Sequence, residues 1–403
     1  MSGKLTGKYS VQQFAFWAAY CGIYTFAATY LAEKGFSSAQ TGWILFSANF
    51  LSFILQPVIA DCADRSKKNI LVLTVVLLNA LSLLCVSAVI LLSMPKLLFS
   101  LAYVLAITCL DMQIPLLNAL NVFFTGHSYK INYSFSRGLG AFSFAIISLL
   151  LGYATDYFGT VCIPVCTLVF IVFNIAVTVS FPRIEKSGDD HLTESAGSSV
   201  SLLRFFTKYG WYCISLFGVL FLAMFHVMTE NYLIEIIRRL GGDSSNLGLA
   251  LFIATLVETP AMMLFDRVYR RTGSYKVLIT SGVFFLLKAI LFVLARSVTA
   301  IYFIQLLQVL TYVMLSPVQM YYAKECTDSA DMIKGQSVIT AAYALGCALG
   351  NLIGGNIISA YGVPAMLYCG VLMTGSGLIV LLLTVPRALK AHISAADTPN
   401  IPN

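Results

Sequence analysis

The chain has 403 residues, of which 59% are hydrophobic and only 11% are charged, and its mean hydropathy is +0.84. Soluble domains carry about 25% charged residues, so a soluble fold of this composition would lack the polar groups to cover its surface. The composition therefore excludes an ordinary soluble protein and favours a surface that faces lipid. The ten cysteines are scattered through apolar stretches without a CxxC pair, which predicts small buried side chains and no metal site or disulfide framework.

Twelve apolar runs, taken in chain order, are long enough to cross a bilayer core of about 30 Å. The first run follows Lys4 and Lys8 and covers about 20 residues, which is longer than the apolar core of a signal peptide, so we predict no cleavable leader. The predicted spans, numbered 1 to 12, are residues 11–31, 40–60, 70–92, 97–123, 132–154, 160–181, 211–237, 246–265, 277–295, 300–322, 336–360 and 364–385. We therefore predict an all-α membrane protein with twelve transmembrane helices.

The longest connection between spans divides them six and six, and it is polar and rich in Ser and Gly, as flexible linkers are. Several residues of the first half recur in order about 203 positions later, which indicates a duplicated six-helix unit with both copies in one orientation. The pairs are Pro57 and Pro260, Asp64-Arg65 and Asp266-Arg267, Pro115 and Pro317, Gly152 and Gly355, Gly159 and Gly362, and Pro182-Arg183 and Pro386-Arg387. We predict an N-terminal bundle over 1–182, a cytoplasmic linker over 183–208, a C-terminal bundle over 209–388 and a cytoplasmic tail over 389–403.

The distribution of Lys and Arg between alternate loops predicts the orientation in the membrane. With a cytoplasmic N-terminus, the outside segments hold only Lys34, Lys96, Arg238, Arg239 and Arg296. The inside segments hold Lys4, Lys8, Arg65, Lys67, Lys68, Lys130, Arg183, Lys186, Arg204, Lys208, Arg267, Arg270, Arg271, Lys276, Lys324, Lys334, Arg387 and Lys390. Both termini are therefore predicted to be cytoplasmic. The same asymmetry accounts for the net charge of +7 without a nucleic-acid partner.

Five charged residues and one histidine lie well inside the predicted spans or about one turn from an end, where an unpaired charge costs about 3 kcal/mol or more. They are Asp111, Arg137, Glu230, Glu258, Lys288 and His226. Glu258, just before Pro260 in span 8, and Lys288 in span 9 are both mid-span. They are either a static ion pair that fixes helix packing or a pair in a transport cavity, where a carboxylate can alternate between its ionised and protonated forms.

The remaining polar groups form stripes along individual spans. His226 and Glu230 share a face of span 7, and Asp111 shares a face of span 4 with Asn118. Glu230 either lines the cavity or lies in a wet extracellular vestibule, and Arg137 of span 5 either faces the cavity or snorkels to the cytoplasmic surface. Gln305, Gln308 and Tyr312 form a polar stripe on span 10. On span 1, Trp17, Tyr20 and Tyr24 follow one another at intervals of one turn. Gly346, Gly350 and Gly354 form a small-residue stripe for packing on span 11. Aromatic stripes serve either packing or ligand binding.

The loop after span 2 resembles the signature GxxxDRxGRR of the major facilitator superfamily. Asp64, Arg65 and Lys68 match the signature, whereas Ala60 and Lys67 replace its two glycines. The second copy, DRVYRRTG, is weaker. Six plus six helices with a central cytoplasmic linker are also the general plan of that superfamily. The resemblance implies the major facilitator fold and a gating and packing role for this loop.

A finer resemblance covers nearly the whole chain and points to the branch that holds lactose permease-like, phenylpropionate permease-like and nucleoside–proton symporters. It is carried by the stretches YLAEKGFSSAQTGWIL, LGGDSSNLGLALFIATLVETP and QLLQVLTYVMLSPVQ. It implies that Glu258 serves solute binding and coupling, that Lys288 stands where a span 9 arginine lies, and that Arg137 contacts the solute. Asn118 replaces a span 4 glutamate, and Gln308 and Thr311 replace a His and a proton-carrying Glu in span 10. These departures argue against a lactose-type proton relay and against lactose as the solute, and a coupling proton would have to bind Glu258, Glu230 or Asp111.

These observations favour a proton-coupled symporter that imports a small polar organic solute (a sugar, glycoside or nucleoside-like molecule) across the inner cell membrane, working as a monomer without a cofactor. The alternatives within transport are a passive facilitator and a drug–proton antiporter, although span 5 lacks the Pro-containing signature of such exporters. A membrane enzyme or sensor is disfavoured because the sequence has no HExxH, GxSxG or phosphate-binding glycine loop. The expected solute-binding residues are Arg137, Asn118, Asp111, Tyr20, Tyr24, Gln308 and Tyr312, and the expected coupling residues are Glu258, Lys288, Glu230 and His226.

Overall fold

A computed structural model describes residues 2–65, 71–126, 129, 131–182, 202–329 and 331–396. These residues form α-helices joined by short turns, and no strand occurs among them. The helices are α1 (Ser2–Tyr20), α2 (Ala27–Glu33), α3 (Ser38–Arg65), α4 (Leu71–Leu91), α5 (Lys96–Asp111), α6 (Gln113–Gly126), α7 (Tyr133–Phe158), α8 (Cys162–Val179), α9 (Leu202–Lys208), α10 (Gly210–Asn231), α11 (Leu233–Arg239), α12 (Ser244–Leu294), α13 (Val298–Gln305), α14 (Tyr312–Cys326) and α15 (Met332–Ala396).

Two of these helices are each a pair of spans joined at a glycine. A straight helix of 51 residues, the length of α12, would measure about 76 Å, more than twice the bilayer core. α12 breaks at Gly273 (φ 74°) and α15 at Gly362 (φ 80°), in a backbone conformation that side chains with a Cβ rarely adopt. In α15, Gly350 and Gly370 pack at Met224 and Phe225, adjacent residues of α10, so the chain reverses between them.

The twelve predicted spans are all present as helices. Eight helices in the described part of the chain are long and apolar enough to cross a membrane, and a ninth is counted when the segments Leu5–Thr25 and Ala27–Glu33, bent by 47°, are taken as one. α12 and α15 contribute two spans each. α3 supplies span 2 with 28 residues, and it is less apolar because it carries Gln40, Asn49 and Gln56. The fold class predicted from the sequence is confirmed.

Four spans are interrupted within their length, and these are the first of each successive group of three. Span 1 contains a π-helical turn, Cys21–Thr25, and span 10 contains a 3-10 turn, Leu306–Val309. Span 4 breaks at Met112 between α5 and α6, and span 7 breaks at Tyr232 between α10 and α11. Interrupted helices at mid-membrane depth are typical of transporter binding sites, because unwound backbone is tolerated where it faces protein or water.

The two six-span halves meet at one end of the bundle, which we call the closed side; the opposite end, where Lys8 and Arg387 lie, is the terminal side. On the closed side, α3 crosses α15 and α7 crosses α12 through facing glycines. A Cβ added to Gly42 would lie 2.6 Å from the Asn351 carbonyl oxygen, and one added to Gly248 would lie 2.4 Å from the Ser148 carbonyl oxygen. The helix backbones therefore touch at both crossings, which seals this side.

Toward the terminal side, polar groups of the facing spans are accessible. Asn118 on α6 is exposed, and Arg137 on α7 and Glu258 on α12 are half-buried. Lipid offers no hydrogen bonds to such groups, so their accessible faces must line a water-filled space. We infer that the halves enclose a polar cavity that is open toward the terminal side.

Within the C-terminal half, the predicted small-residue stripe packs along α10. A Cβ on Gly346 would lie 2.6 Å from the Leu220 carbonyl oxygen, and one on Gly350 would lie 2.5 Å from that of Met224. The stripe thus brings α15 against α10, the helix that carries His226 and Glu230 to the cavity.

Candidate functional site: a charged cavity between two helical halves

An aromatic ladder on span 1 forms the wall of the cavity in the N-terminal half. The ring centres of Trp17 and Tyr20 are 5.6 Å apart, and those of Tyr20 and Tyr24 are 4.9 Å apart in a stacked arrangement. The three side chains are half-buried. Trp17 and Tyr20 are on the last turn of α1, and Tyr24 is in the π-helical turn, so the local unwinding places the second tyrosine directly over the first.

Arg137 reaches this ladder from α7. Its guanidinium carbon lies 4.2 Å from the centre of the Trp17 ring, a cation–π contact. The indole is held by its own N–H, which donates to Gln13 Oε1 at 3.1 Å, and Gln13 Nε2 in turn donates to the Tyr9 hydroxyl at 3.0 Å. Gly140 leaves room for the ring, because a Cβ there would lie 2.5 Å from Trp17 Cδ1. Arg137 therefore faces the cavity rather than snorkelling to the surface.

Asp111 is buried at the break in span 4. It is 7% exposed, its Oδ2 accepts a hydrogen bond from the Ser52 hydroxyl at 3.3 Å, and the Tyr20 hydroxyl is a second partner. Its backbone carbonyl accepts from Gln56 Nε2 at 3.5 Å. The carboxyl group thus joins span 1 to spans 2 and 4 at the base of the aromatic ladder.

Lys288 forms the charged centre of the C-terminal half. The residue is 1% exposed, and its ammonium donates to Gln308 Oε1 at 2.7 Å and lies 3.9 Å from Glu230 Oε1. The mid-span positions of Lys288 and Glu258 predict that these two residues form a pair, but in the described part of the chain the ion pair of Lys288 is with Glu230. The reason is geometric: Gln308, in the 3-10 turn, anchors the ammonium beside α10.

Glu258 is the acidic group that lies between the two halves. It is half-buried and near enough to Glu230, Arg137 and Lys288 to be influenced by their charges, yet none of the ion pairs within 4 Å in the described residues includes it. Its carboxylate is therefore available to the contents of the cavity, with a cation on the N-terminal half and another on the C-terminal half nearby.

The other predicted site residues of the C-terminal half are arranged around this centre. His226 stacks on Tyr312 with ring centres 4.6 Å apart and planes inclined by 8°, and His226 Nδ1 is buried without a hydrogen-bond partner. Gln308 is 3% exposed and accepts a hydrogen bond from Lys288, so it holds the lysine in place. It was expected from the sequence to line the cavity, but in the structure it lies behind Lys288. Both polar side-chain atoms of Gln305 are likewise buried and unpartnered.

Asn118 is not brought together with the charged residues. It lies two helical turns from Asp111 toward the terminal side, about 10 Å along the helix axis. It is exposed, and its Oδ1 accepts a hydrogen bond from the Tyr133 hydroxyl at 3.0 Å. The structure therefore places Asn118 at the mouth of the cavity.

The predicted gating loop is only partly described. Lys68 lies outside the described residues, and Asp64 and Arg65 are the last residues of α3, with side chains that are also outside the description. The second copy is described. There, Asp266 accepts from the Tyr321 hydroxyl at 2.8 Å, and Glu325 accepts from Tyr269 at 2.6 Å and from Ser274. It ties spans 8, 9 and 10 together.

A set of asparagines at the narrow end of the cavity was missed by the sequence analysis. Asn49 Nδ2 donates to the Tyr24 hydroxyl at 3.0 Å, and Asn231, another partner of Tyr24, donates to Asn351 Oδ1 at 2.7 Å. These contacts link spans 1, 2, 7 and 11. Each asparagine is a polar residue in an apolar span, which was a usable signal, but sequence spacing does not show which residues meet across the two halves.

No group of three or more His, Cys, Asp or Glu side chains within the described ranges is arranged to hold a metal ion. The described side chains that border the cavity are charged groups, amides and aromatic rings, which can bind polar solutes.

Two six-span halves closed on one side around a charged cavity define a membrane transporter of the major facilitator type. Residues 7–368 match the MFS_1 like family, and the chain belongs to that family. The maltose permease of Geobacillus stearothermophilus is 24% identical over 385 residues, covering 94% of each chain.

Solved structures of transporters share the fold. A mutant of the nucleoside transporter NupG superposes with a TM-score of 0.79 at 12% identity, covering 95% of this chain and 99% of that chain. A mutant of a peptide transporter, POT, superposes with a TM-score of 0.72 at 14% identity, covering 96% of this chain and 95% of that chain. These proteins are membrane transporters, not enzymes.

Proposed function

We propose that this protein is a proton-coupled symporter that imports a small polar organic solute, of the sugar, glycoside or nucleoside class, by alternating access. It works as a monomer in the inner cell membrane with both termini in the cytoplasm. The residues 1–182 and 209–388 are its two moving bundles, and Asp64, Arg65 and Lys68 serve the gate on the terminal side.

The observation that carries the proposal is the position of Glu258. An acidic side chain that borders a membrane cavity without an ion pair has two inexpensive ways to be satisfied: it binds a proton, or it accepts hydrogen bonds from a solute. Glu258 has the cations Arg137 and Lys288 and the half-buried carboxylate of Glu230 near it. Such a group changes its protonation state when a solute or a conformational change alters these distances.

We assign solute recognition to side chains on both walls of the cavity. Aromatic rings bind the C–H faces of sugars and the flat faces of bases, whereas the guanidinium of Arg137 and the carboxylate of Glu258 form charge-assisted hydrogen bonds with hydroxyl groups. Tyr20, Tyr24, Asp111 and Tyr312 complete the binding surface. The names of a maltose permease and a nucleoside transporter among the similar proteins support these two solute classes.

A passive facilitator is the second candidate. The observation in its favour is that Gln308 and Thr311 occupy span 10 at the positions where the resemblance places a proton relay, and Gln308 is already engaged by Lys288. The third candidate function is export of a drug-like solute in exchange for protons. A membrane enzyme or sensor is disfavoured.

The test is uptake into proteoliposomes by the purified protein, with an imposed pH gradient and a solute panel of maltose, other glycosides, nucleosides and peptides. We expect a sugar or nucleoside to accumulate and a protonophore to abolish the accumulation. The Glu258→Gln variant is expected to lose concentrative uptake by at least about tenfold while it retains exchange of solute between the two sides, because the glutamine amide still forms hydrogen bonds with solute hydroxyl groups but cannot carry a proton.

Glu33→Gln, a substitution of an exposed carboxylate on α2, is the matched control and is expected to transport normally. Wild-type accumulation by Glu258→Gln would exclude Glu258 as the proton carrier. Equilibration of the solute without accumulation in the wild-type protein would favour the facilitator, and proton-driven efflux would favour the antiporter.

A further inference from the structure

A carboxylate of one half caps a helix of the other half on the closed side. Asp156 lies near the end of α7, in the N-terminal half, and faces the first turn of α12, in the C-terminal half. Its Oδ1 accepts a hydrogen bond from the Ser244 backbone N–H at 3.1 Å, and its Oδ2 accepts one from the Ser245 N–H at 2.6 Å. The Ser245 hydroxyl also donates to Oδ2.

These bonds satisfy donors that the helix cannot satisfy itself. The first four N–H groups of an α-helix have no partner within the helix, and the positive end of its dipole attracts a carboxylate. In α12, Asp243 caps the Asn246 N–H at 3.1 Å as part of a capping box, and its carbonyl accepts from Leu247. The N–H groups of Ser244 and Ser245 have no acceptor among the described residues of the C-terminal half, and Asp156 accepts a hydrogen bond from each of them across the interface between the halves.

The same place is the point of closest approach of α7 and α12. A Cβ on Gly152, one turn before Asp156, would lie 2.5 Å from the Ser244 carbonyl oxygen and 2.9 Å from Gly248 Cα. Separation of the halves on this side pulls Gly152 away from Gly248 and must therefore break all three bonds to Asp156 at once. Asp156 is exposed, so water can take over its bonds when the halves part.

We propose that Asp156 is the latch of the closed side, a residue that sets the ratio of closed to open conformations there and so controls access to the cavity. The contact is strong enough to favour closure because it joins a charge to a helix terminus. It is also reversible, because its groups are hydrated once released. This inference depends on the two-half architecture and not on the identity of the solute or on proton coupling.

The experiment measures the distance between the halves directly. Spin labels are attached at Val161→Cys in the N-terminal half and at Arg296→Cys in the C-terminal half, two exposed positions on the closed side, after replacement of the ten native cysteines. The distance distribution is recorded by pulsed electron resonance in lipid nanodiscs without solute. We expect a predominantly short distance in the parent and a roughly tenfold shift toward the long distance in Asp156→Ala, the size of effect that loss of a helix cap and a dipole contact produces.

Asp243→Ala is the matched control, because it removes a carboxylate from the same helix terminus but from within one half. It is expected to leave the distribution unchanged. Asp156→Asn, which keeps the size of the side chain and one acceptor oxygen, is expected to give an intermediate shift and covers the case in which the alanine variant does not fold. An unchanged distribution in Asp156→Asn and Asp156→Ala would overturn the proposal, and so would an equal shift in Asp243→Ala.

Discussion

Lys288 has the lowest exposure of the buried charged side chains that the structure describes, at 1%, and its surroundings show how a charge is kept inside the membrane. Gln308 accepts from the ammonium, Glu230 lies at 3.9 Å, and the ring of Phe292 lies 5.8 Å away. The mid-span positions of Glu258 and Lys288 predicted an ion pair between these two residues, whereas the structure pairs Lys288 with Glu230. Spacing along one helix shows which residues share a face, whereas the choice between Glu230 and Glu258 depends on how α10 packs against α12.

We expect the stability of the fold to depend on keeping Lys288 and Glu230 either both charged or both neutral. Glu230→Gln leaves a buried ammonium without its counter-charge, which costs about 3–5 kcal/mol, whereas the double variant Glu230→Gln, Lys288→Gln leaves no unpaired charge. In thermal unfolding of the purified protein, we expect the single variant to melt well below the wild-type protein and the double variant to recover most of the loss.

The exposed Glu33→Gln control is expected to melt at the wild-type temperature. A double variant as unstable as Glu230→Gln alone would mean that Lys288 is stabilised chiefly by Gln308 and that its ion pair with Glu230 contributes little.

At the scale of helices, the twelve spans followed from apolar runs and bilayer thickness, and only some of the positions of their interruptions did. Pro115 has no N–H to bond the Asp111 carbonyl oxygen, so the break at Met112 carries a proline signal. Tyr232 is not a residue that breaks helices, however, and no glycine or proline lies within Leu306–Val309. These breaks arise where buried side chains such as Asp111 and Gln308 are satisfied by partners on other spans. Such contacts between spans are invisible in the sequence of one span. By contrast, the reversals at Gly273 and Gly362 carry a glycine signal, and both fall between predicted spans.

The start of α10 is tied to the segment between α14 and α15 by a cluster of charges outside the membrane-spanning segments. Lys208 Nζ lies 2.6 Å from Asp328 Oδ2 and 3.0 Å from Asp331 Oδ2, and the Tyr209 hydroxyl lies 3.0 Å from the same two oxygens. The hydrogen bond from Lys208, followed by that from Tyr209, holds the pKa of Asp331 below its usual value, and hydrogen bonding to Asp328 raises the pKa of Lys208.

This cluster predicts a pH window for stability. A carboxylate with a lowered pKa stabilises the fold at pH values above its unfolded pKa, and the contribution disappears as the pH falls through the folded pKa, which here lies below 3.8. An ammonium with a raised pKa contributes until the pH rises through its folded pKa, above 10.5. We expect Asp331→Asn to lower the melting temperature by a constant amount between about pH 5 and 8, and the difference to shrink toward about pH 3.

The check is a series of melting curves of Asp331→Asn and wild-type protein in detergent, with Glu33→Gln as the exposed-carboxylate control. A difference between Asp331→Asn and wild type that persists undiminished at the acid end would show that the asparagine disturbs packing and that the charge of Asp331 is not the cause.

At the scale of the whole molecule, the duplication read from the sequence corresponds to two halves that close on each other around the cavity. Composition, spans and the internal repeat were sufficient to predict this architecture, and the resemblance of the loop after span 2 to a family signature indicated the family. The contacts between halves were not predictable, because Asp156 and Ser245 come from different bundles and neither is unusual in its own segment. The charged residues of the cavity were predicted from the free energy that an unpaired charge costs in lipid. The asparagines of its narrow end were recognised only from the contacts of Asn49 and Asn231 with Tyr24.

The loop charges predict the orientation in the membrane, and this prediction is open to a direct test. We expect an epitope tag fused after the last residue to be reached by antibody only when the cytoplasmic face is accessible, because the terminal side carries most of the Lys and Arg. A tag inserted at Gly159, in the turn between α7 and α8 on the closed side, is expected to be reached from outside intact cells. Reversed accessibility of both tags would invert the assignment of import and export sides.

The two glycine crossings of the closed side are related by the internal repeat, since Gly152 and Gly355 are equivalent positions of the two copies and each meets a glycine of the opposite half. A symmetric dimer of an ancestral six-helix chain would have formed both crossings from a single pair of positions, so that each substitution acted twice. The position equivalent to Asp156 is now Ser359, which cannot supply a carboxylate. The capping contact is therefore a feature of one crossing only. In a single fused chain, a substitution changes one crossing without changing the other.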